Sequence, residues 1–448
     1  MNDTAVSNNF FAERRRRLAG AMRSGVAILP TAPERIRNRD AHYPYRFDSY
    51  FHYLTNFAEP EAVLILVADG ATPPRVRSIL FCREKNAERE IWDGFRHGPL
   101  GACEKFGFDE AFPIEEIDEK LPDLLANQPV VHYAPGADAA WDARVMGWLN
   151  AVRDKVRLGI AAPASIADLR VPLDEMRLIK DSSEIATMRR AASISAEAHL
   201  RAMRTARPGG YEYEVEAELL YAFRRNGAQF PAYSPIVASG AHACVLHYIS
   251  NDAQMVDGDL LLIDAGCELD GYASDITRTF PVNGRFSGPQ RAIYELVLSA
   301  QAAAMRETLA GKGWNEPHDA AVRTLTQGML DLGLINGTLD AALEQESYRR
   351  FYMHRTGHWL GRDVHDAGDY KQNGDWRALV PGMTLTVEPG LYVSPGEGVP
   401  EKFWNIGVRI EDDVLVTAGA CDVLTHETPK SIDDIEALMR DARGNSES

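Results

Sequence analysis

Apolar residues in the first third of the chain fall in short runs. VAIL (26–29), AVLILV (62–67), SILF (78–81) and VVHY (130–133) are separated by polar stretches of helical character. Runs of that length, bounded by polar segments, predict buried strands alternating with helices, an α/β arrangement. AAPASIADLRVPLDE (161–175) is rich in Ala and Pro and has no clear period, which predicts a connector. Beyond it the period becomes helical. Ile185, Met188, Ala192, Ala196 and Leu200 mark one face of a helix opened by Asp181 and Glu184 at capping-box spacing. ARPGG (206–210) ends that helix, and YEVEAELLYAFRRNGA forms a second, closed by Gly227. Strand-like segments follow over about 233–281, helical ones over about 289–332, and strands return over about 380–417. A helices-then-strands order that occurs twice predicts one α+β unit in the carboxyl-terminal two-thirds.

Within that unit, LLIDAGCELDGYASDITRTF (261–280) places two aspartates where a sheet favours apolar or neutral side chains. Asp270-Gly271 between two strand-like runs signals a two-residue hairpin loop, since a type I′ turn needs positive φ at both positions. A loop there sets Asp264 opposite Thr277 and puts Asp275 on the same face, diagonal to Asp264 at roughly 7–8 Å. Two such carboxylates repel and cost several kcal/mol, roughly, to desolvate unless cations neutralise them. From the hairpin alone, Arg278 or another basic residue forming a salt bridge serves as well as a metal ion.

Further candidate ligands lie downstream. FYMHRTGHWLGRDVHD (351–366) holds His354, His358 and His365; Thr356 and Gly357 argue against a regular ligand-bearing helix. MTLTVEPGLYV (383–393) drives an apolar strand into Glu388 before a Pro-Gly turn. FWNIGVRIEDDVLVT (403–417) puts Arg409 and Glu411 on one face of a strand, and Arg409 could itself be the partner of Glu411. Asp264, Asp275, Glu388 and Glu411 all fall on inner-strand positions, two from each half of the apparent repeat, with His358 between. Four carboxylates balance two divalent cations, and one neutral imidazole completes a five-ligand set for a two-metal site. Oxygen-rich ligation with one histidine suits Mn²⁺, Co²⁺, Fe²⁺ or Zn²⁺ and excludes a thiolate zinc site.

Composition narrows the classes. The 448 residues suggest two to three domains, and a formal charge of −17 argues against nucleic acid or an anionic membrane as the principal partner. Arg14 to Arg17 form the one basic run, read as a solvated helix face; the apolar stretch after it is interrupted by Arg23 and does not make a signal peptide. No segment approaches the roughly 18 uninterrupted apolar residues of a membrane span. Five scattered cysteines (82, 103, 244, 267, 421) without C-x-x-C fit reduced thiols in the cytoplasm. Phosphate-cradling loops, dinucleotide fingerprints, G-x-S-x-G and H-E-x-x-H are absent from the sequence.

The order Asp264, Asp275, His358, Glu388 and Glu411, with these flanks, resembles the ligand set of the pita-bread metallopeptidases, the superfamily of methionine aminopeptidase and aminopeptidase P. More narrowly, IVASGAHACVLHY (236–248), LIDAGCELDGYASDITRTFPVNG, HWLGRDVHDAG, LTVEPGLY and IGVRIEDD resemble the bacterial Xaa-Pro aminopeptidases. RIRNRDAHYPYRFDSYFHYLTNFAEPEAVLIL (35–66) is similar to that family's amino-terminal domain. The resemblance implies an α/β amino-terminal domain over 1–174, then an α+β pita-bread (creatinase/aminopeptidase) catalytic domain over 175–448, with two Mn²⁺ ions. Arg355 departs from the HG-containing form of this loop associated with the family.

Carried over, the resemblance makes Asp275 and Glu411 the bridging ligands, Asp264 a ligand of one ion, and His358 and Glu388 ligands of the other. The resemblance also implies that the ions would supply a shared hydroxide as the nucleophile for the first peptide bond. His247 and His365 bind substrate and stabilise the tetrahedral intermediate, and Glu388 also shuttles a proton. Arg409 orients Glu411 or the substrate; His354 and Tyr392 are candidates for the pocket holding proline. The implied substrates are peptides with proline in the second position, whose nitrogen lacks an N–H and whose ring fixes φ. EIWDGFRHGP (90–99) is similar to a family stretch whose tryptophan reaches a neighbouring subunit, so Trp92 either does this in a homo-oligomer, dimer or tetramer, or is a packed aromatic. Competing readings are an Xaa-Pro dipeptidase (prolidase), which shares all five ligands, and a non-catalytic pita-bread binding module. Creatine amidinohydrolase relatives lack the metal set, and methionine aminopeptidases usually lack such a large amino-terminal domain.

Overall fold

The structure, a computed structural model, describes residues 3–73 and 75–444. The chain divides into two compact units, Met1–Met176 and Arg177–Ser448.

In the first unit the four predicted apolar runs are strands of one mixed six-stranded sheet. Its order is Glu110–Pro113, Val76–Cys82, Val63–Asp69, Ser24–Pro30, Val130–Tyr133 and Ser165–Asp168. The central Ser24–Pro30 strand pairs antiparallel with Val63–Asp69 and parallel with Val130–Tyr133. Successive side chains alternate between two cores, Ala27 and Leu29 on one face, Val26 and Ile28 on the other. Both faces are apolar because helices cover both, and each fully buried Val, Leu or Ile contributes about 1.5–3 kcal/mol.

Two expectations change here. The segment 161–175 is not a mere connector: it supplies the edge strand Ser165–Asp168 and the start of helix Arg170–Leu178. Parallel pairing with Val130–Tyr133 fixes the strand despite its weak period. The basic run is also only partly solvated. Arg14 and Arg15 are buried; Arg15 donates to the carbonyls of Leu54 (3.0 Å) and Gly107 (2.8 Å), and Arg14 stacks over Tyr53. Their long side chains carry the charge to carbonyls at loop and helix ends, which a one-dimensional pattern does not reveal.

In the second unit, Asp181 caps helix Ser182–Thr205 in a capping box with Glu184, as expected. This helix buries more than the predicted stripe, because small residues let the hairpin approach: Cys267 N donates to Ser195 Oγ at 3.0 Å. Helix Glu212–Arg225 precedes the first set of strands, and helices Gly288–Glu307 and Glu316–Asp331 precede the second. This is the pita-bread arrangement, an α+β unit with the same order in both halves. Among the described residues, no helix is long and apolar enough to cross a membrane.

Candidate metal centre

The hairpin forms as its turn chemistry requires. Asp270 and Gly271 have φ of 51° and 76°, and the register pairs Asp264 with Thr277. Between its tip and its base the ribbon breaks. Leu260–Asp264 and Thr277–Pro281 belong to one sheet, Cys267–Leu269 and Tyr272–Ala273 to another. At the crossing, a Cβ on Gly266 would lie 1.6 Å from the Ser274 carbonyl oxygen, so only glycine fits. Asp275 sits in this break, outside any strand.

The same construction recurs in the second half. Glu388 lies between strands Thr384–Val387 and Gly390–Val393, and Glu411 between Ile406–Arg409 and Asp412–Leu415. The carboxylates thus occupy strand ends and interruptions, not the inner-strand positions expected. A residue in regular pleat is committed to one face, whereas a break frees the backbone to aim carboxylates from several strands at one point.

They do converge. Asp275, His358 and Glu411 offer ligand atoms within 4.8 Å of one another. His358 Nε2 is 3.4 Å from Asp275 Oδ2 and 3.6 Å from Glu388 Oε1. Asp264 joins through Tyr233, whose hydroxyl lies 2.5 Å from both Asp264 Oδ1 and Asp275 Oδ1. One phenolic proton satisfies one carboxylate only, so the second is left facing an acceptor. His358 Nδ1 is 2.9 Å from the Trp359 carbonyl, which holds the proton there and turns Nε2 toward the acidic cluster.

Electrostatics describes a site short of positive charge. Burial, then Asp275, Glu388 and Asp264, push the Glu411 carboxyl well above the usual carboxylate range. Burial also raises Glu388, to about 7, against the pull of His358. Asp264 is raised by burial despite Arg409. Asp275 alone is lowered: burial raises it, but the His358 hydrogen bond and charge outweigh that. His358 rises to about 9 because Asp275 and Glu388 overcome its desolvation. Divalent cations among these donors would remove the repulsion, and hard oxygen donors with one imidazole fit them.

The salt-bridge alternative holds for Asp264 alone, and with Arg409 in place of Arg278. Arg278 is committed to Asp412 at 2.7 Å and to the Glu411 carbonyl at 2.6 Å, away from Asp264 and Asp275 side chains. Arg409 does not pair with Glu411; its Nη2 grips Asp264 at 2.6 Å, its Nη1 donates to Tyr392 at 2.9 Å, and its Nε donates to Thr277 Oγ1 at 3.1 Å. Thr277 Oγ1 donates in turn to Glu411 at 2.6 Å, so Arg409 reaches Glu411 only through a hydroxyl.

Tyr392 OH lies 2.8 Å from His354 Nε2, and His354 Nδ1 lies 2.8 Å from the Arg355 carbonyl. Both nitrogens of His354 are therefore engaged within the protein, leaving only its ring surface for a ligand; burial lowers its pKa to about 3, keeping it neutral. The His365 ring stands edge-on to His358 with centroids 4.4 Å apart. His247 is exposed, yet near enough that its charge disfavours protonation of His354 and His365. Trp92 belongs to the first unit and is 83% exposed, so it is not packed within that unit.

Sequence reasoning missed Tyr233, Thr277 and Asp413. Asp413 accepts the Asp275 amide at 3.1 Å and Ser274 Oγ at 2.8 Å, holding the break in place. Thr277 was legible as the cross-strand neighbour of Asp264; nothing local marks Tyr233, which arrives from outside the hairpin.

A buried acidic centre with one imidazole, set in the strand breaks of a pita-bread unit, defines a metallohydrolase. Residues 186–418 match metallopeptidase family M24 and residues 11–132 match the aminopeptidase P N-terminal domain. The chain belongs to metallopeptidase family M24 and is a peptide hydrolase that works with divalent metal ions. It is 45% identical over 439 residues to Xaa-Pro aminopeptidase of Escherichia coli K12, covering 98% of this chain and 99% of that protein. It superposes on aminopeptidase PepP of Pseudomonas aeruginosa with a TM-score of 0.95 at 52% identity, over 98% of this chain and 99% of the other. Zinc-substituted E. coli aminopeptidase P in complex with product matches with a TM-score of 0.94 at 45% identity, over 97% and 99% of the two chains.

Proposed function

We propose that the protein removes the amino-terminal residue from peptides with proline in the second position, with two divalent cations held by Asp264, Asp275, His358, Glu388 and Glu411. The observation that carries this is the convergence of Asp275, His358 and Glu411 within 4.8 Å, with Asp264 and Asp275 sharing one tyrosine hydroxyl. Asp275 and Glu411 would be shared by both ions, Asp264 would complete the donor set of one, and His358 and Glu388 would hold the other. When bound, the cations supply Lewis acidity and lower the pKa of water.

The chain's own groups do the rest. Glu388, whose Oε1 lies 3.6 Å from His358 Nε2, is placed to take a proton at its carboxylate and return it to the leaving nitrogen. His247 and His365, both exposed beside the centre, are placed to donate to the carbonyl oxygen of the bond being cut. Arg409 fixes Asp264 and, through Tyr392, the His354 ring, which offers an apolar surface to the proline ring. Manganese is the metal this reading takes from the family resemblance; the oxygen-rich donor set suits it, as it does Co²⁺, Fe²⁺ or Zn²⁺. The five free cysteines support a cytoplasmic location.

A peptide-length series tests the reading. With Mn²⁺ the protein is expected to release the first residue from Xaa-Pro-Xaa peptides, to spare peptides lacking the second-position proline, and to lose activity on chelation. Cleavage confined to the dipeptide Gly-Pro would make it a prolidase instead. Tight peptide binding without turnover would make it a binding module.

A homo-oligomer, dimer or tetramer, is part of the same proposal. Ile91, Trp92 and Phe95 are 80%, 83% and 66% exposed on and just after helix Ala87–Asp93, an apolar cluster suited to a neighbouring copy. Light scattering is expected to give at least twice the 49.6 kDa chain mass, falling toward one chain for Trp92→Glu. A monomeric wild type rejects it.

A further inference from the structure

Glu212 is the first residue of helix Glu212–Arg225 and is fully buried, yet the chemistry above does not use it. Its carboxylate is satisfied almost wholly by hydrogen bonds. Oε1 accepts from Ser239 N and Ser239 Oγ, each at 2.7 Å, and lies 3.4 Å from His242 Nδ1. Oε2 accepts from Tyr248 OH at 2.8 Å and Ala253 N at 2.9 Å. The helix N-terminus adds favourable partial positive charge.

These donors come from both ends and the middle of one segment. Ser239 closes strand Ile236–Ser239, His242 and Tyr248 stack with ring centroids 4.3 Å apart, and Ala253 follows the segment's return. Asn251 makes a second tie, accepting from Val237 N at 3.0 Å and donating to the Pro235 carbonyl at 2.9 Å. The base of the segment packs tightly on strand Ile406–Arg409, which carries Arg409: a Cβ on Gly407 would lie 2.2 Å from the Ala243 carbonyl oxygen. His247, mid-segment and exposed, makes no side-chain hydrogen bond among the described residues. Its position is therefore set by how the arc 240–252 is pinned.

We propose that Glu212 is a positioning residue: one carboxylate clamps both ends of the arc that carries His247 and so fixes that histidine beside the metal ligands. This rests on the reading of His247 as a substrate-binding group. A buried carboxylate with five donors is a stringent clamp, because a neutral or shorter side chain leaves amide N–H groups unpaired. Glutamine is the mildest change: its amide nitrogen would face the Ala253 N–H, donor against donor.

The test is a double-mutant cycle on the full-length Mn²⁺-loaded protein, with a proline-second tripeptide as probe. Glu212→Ala is expected to lower kcat/KM by about the same factor as His247→Ala, roughly 10–100-fold. The double variant should lose no more than either alone, with metal content unchanged. Amide exchange over 240–252 should rise in Glu212→Ala and, less, in Glu212→Gln, which serves if the alanine variant does not fold. Multiplicative losses, lost metal, or unaltered exchange overturn the proposal. If the wild type cleaves no such peptide, or His247→Ala is silent, the functional reading fails, and unaltered exchange alone then decides against the clamp.

Discussion

Glu411→Gln is expected to lower kcat/KM by at least about 100-fold, while the metal-free protein stays as stable as the wild type or gains stability. Burial and three neighbouring carboxylates disfavour a charge on Glu411 in the metal-free chain. Glutamine fills the same space, carries no charge, and its carbonyl can still accept from Thr277 Oγ1. Without metal, the substitution therefore relieves repulsion. With metal it removes an anionic donor, and groups that only orient ligands already cost 10–100-fold when lost. The signature is the difference between two melting curves. Wild type should be stabilised by added Mn²⁺, following the affinity of the site, and the variant much less. An equal rise in both, with activity retained, removes Glu411 from the ligand set.

Arg409→Leu is expected to destabilise the metal-free protein by roughly 3–5 kcal/mol, the usual consequence of stripping the partner from a buried charge. Its three contacts lie at 2.6, 2.9 and 3.1 Å on Asp264, Tyr392 and Thr277, and the guanidinium is nearly inaccessible to solvent. Losing it leaves Asp264 with Tyr233 alone and leaves Tyr392 held only by His354. Arg409→Lys should recover only part of the loss, since an ammonium keeps the charge without the planar fork that reaches three acceptors at once. Urea unfolding in chelator measures the stability, and kcat/KM with saturating Mn²⁺ should fall by about 10–100-fold for Leu. If Lys behaves as wild type, charge alone matters and the fork is not what fixes Asp264.

Much of this site was readable along the chain because its geometry is local. Asp270-Gly271 dictates a two-residue turn, and the turn dictates that Asp264 faces Thr277. Asp181 and Glu184 announce a helix start by spacing alone. The break at Gly266 was not readable. Its cause is the Ser274 carbonyl crossing over it, and a glycine in a strand-like run is equally compatible with a simple bulge. The segment 161–175 failed for the opposite reason. Its intrinsic pattern is weak, and pairing with Val130–Tyr133 overrides it.

By itself the sequence determined the hairpin register, the repeated order of helices and strands, and the inventory of acidic and imidazole donors, because turn φ angles, caps and side-chain chemistry act within a few residues. Only the tertiary structure decided which cation serves which carboxylate: Arg278 goes to Asp412, Arg409 to Asp264, and Tyr233 stands between Asp264 and Asp275. Those pairings join residues up to 145 positions apart. A charge interaction depends on distance and burial in space, and neither is encoded in the spacing of residues along the chain.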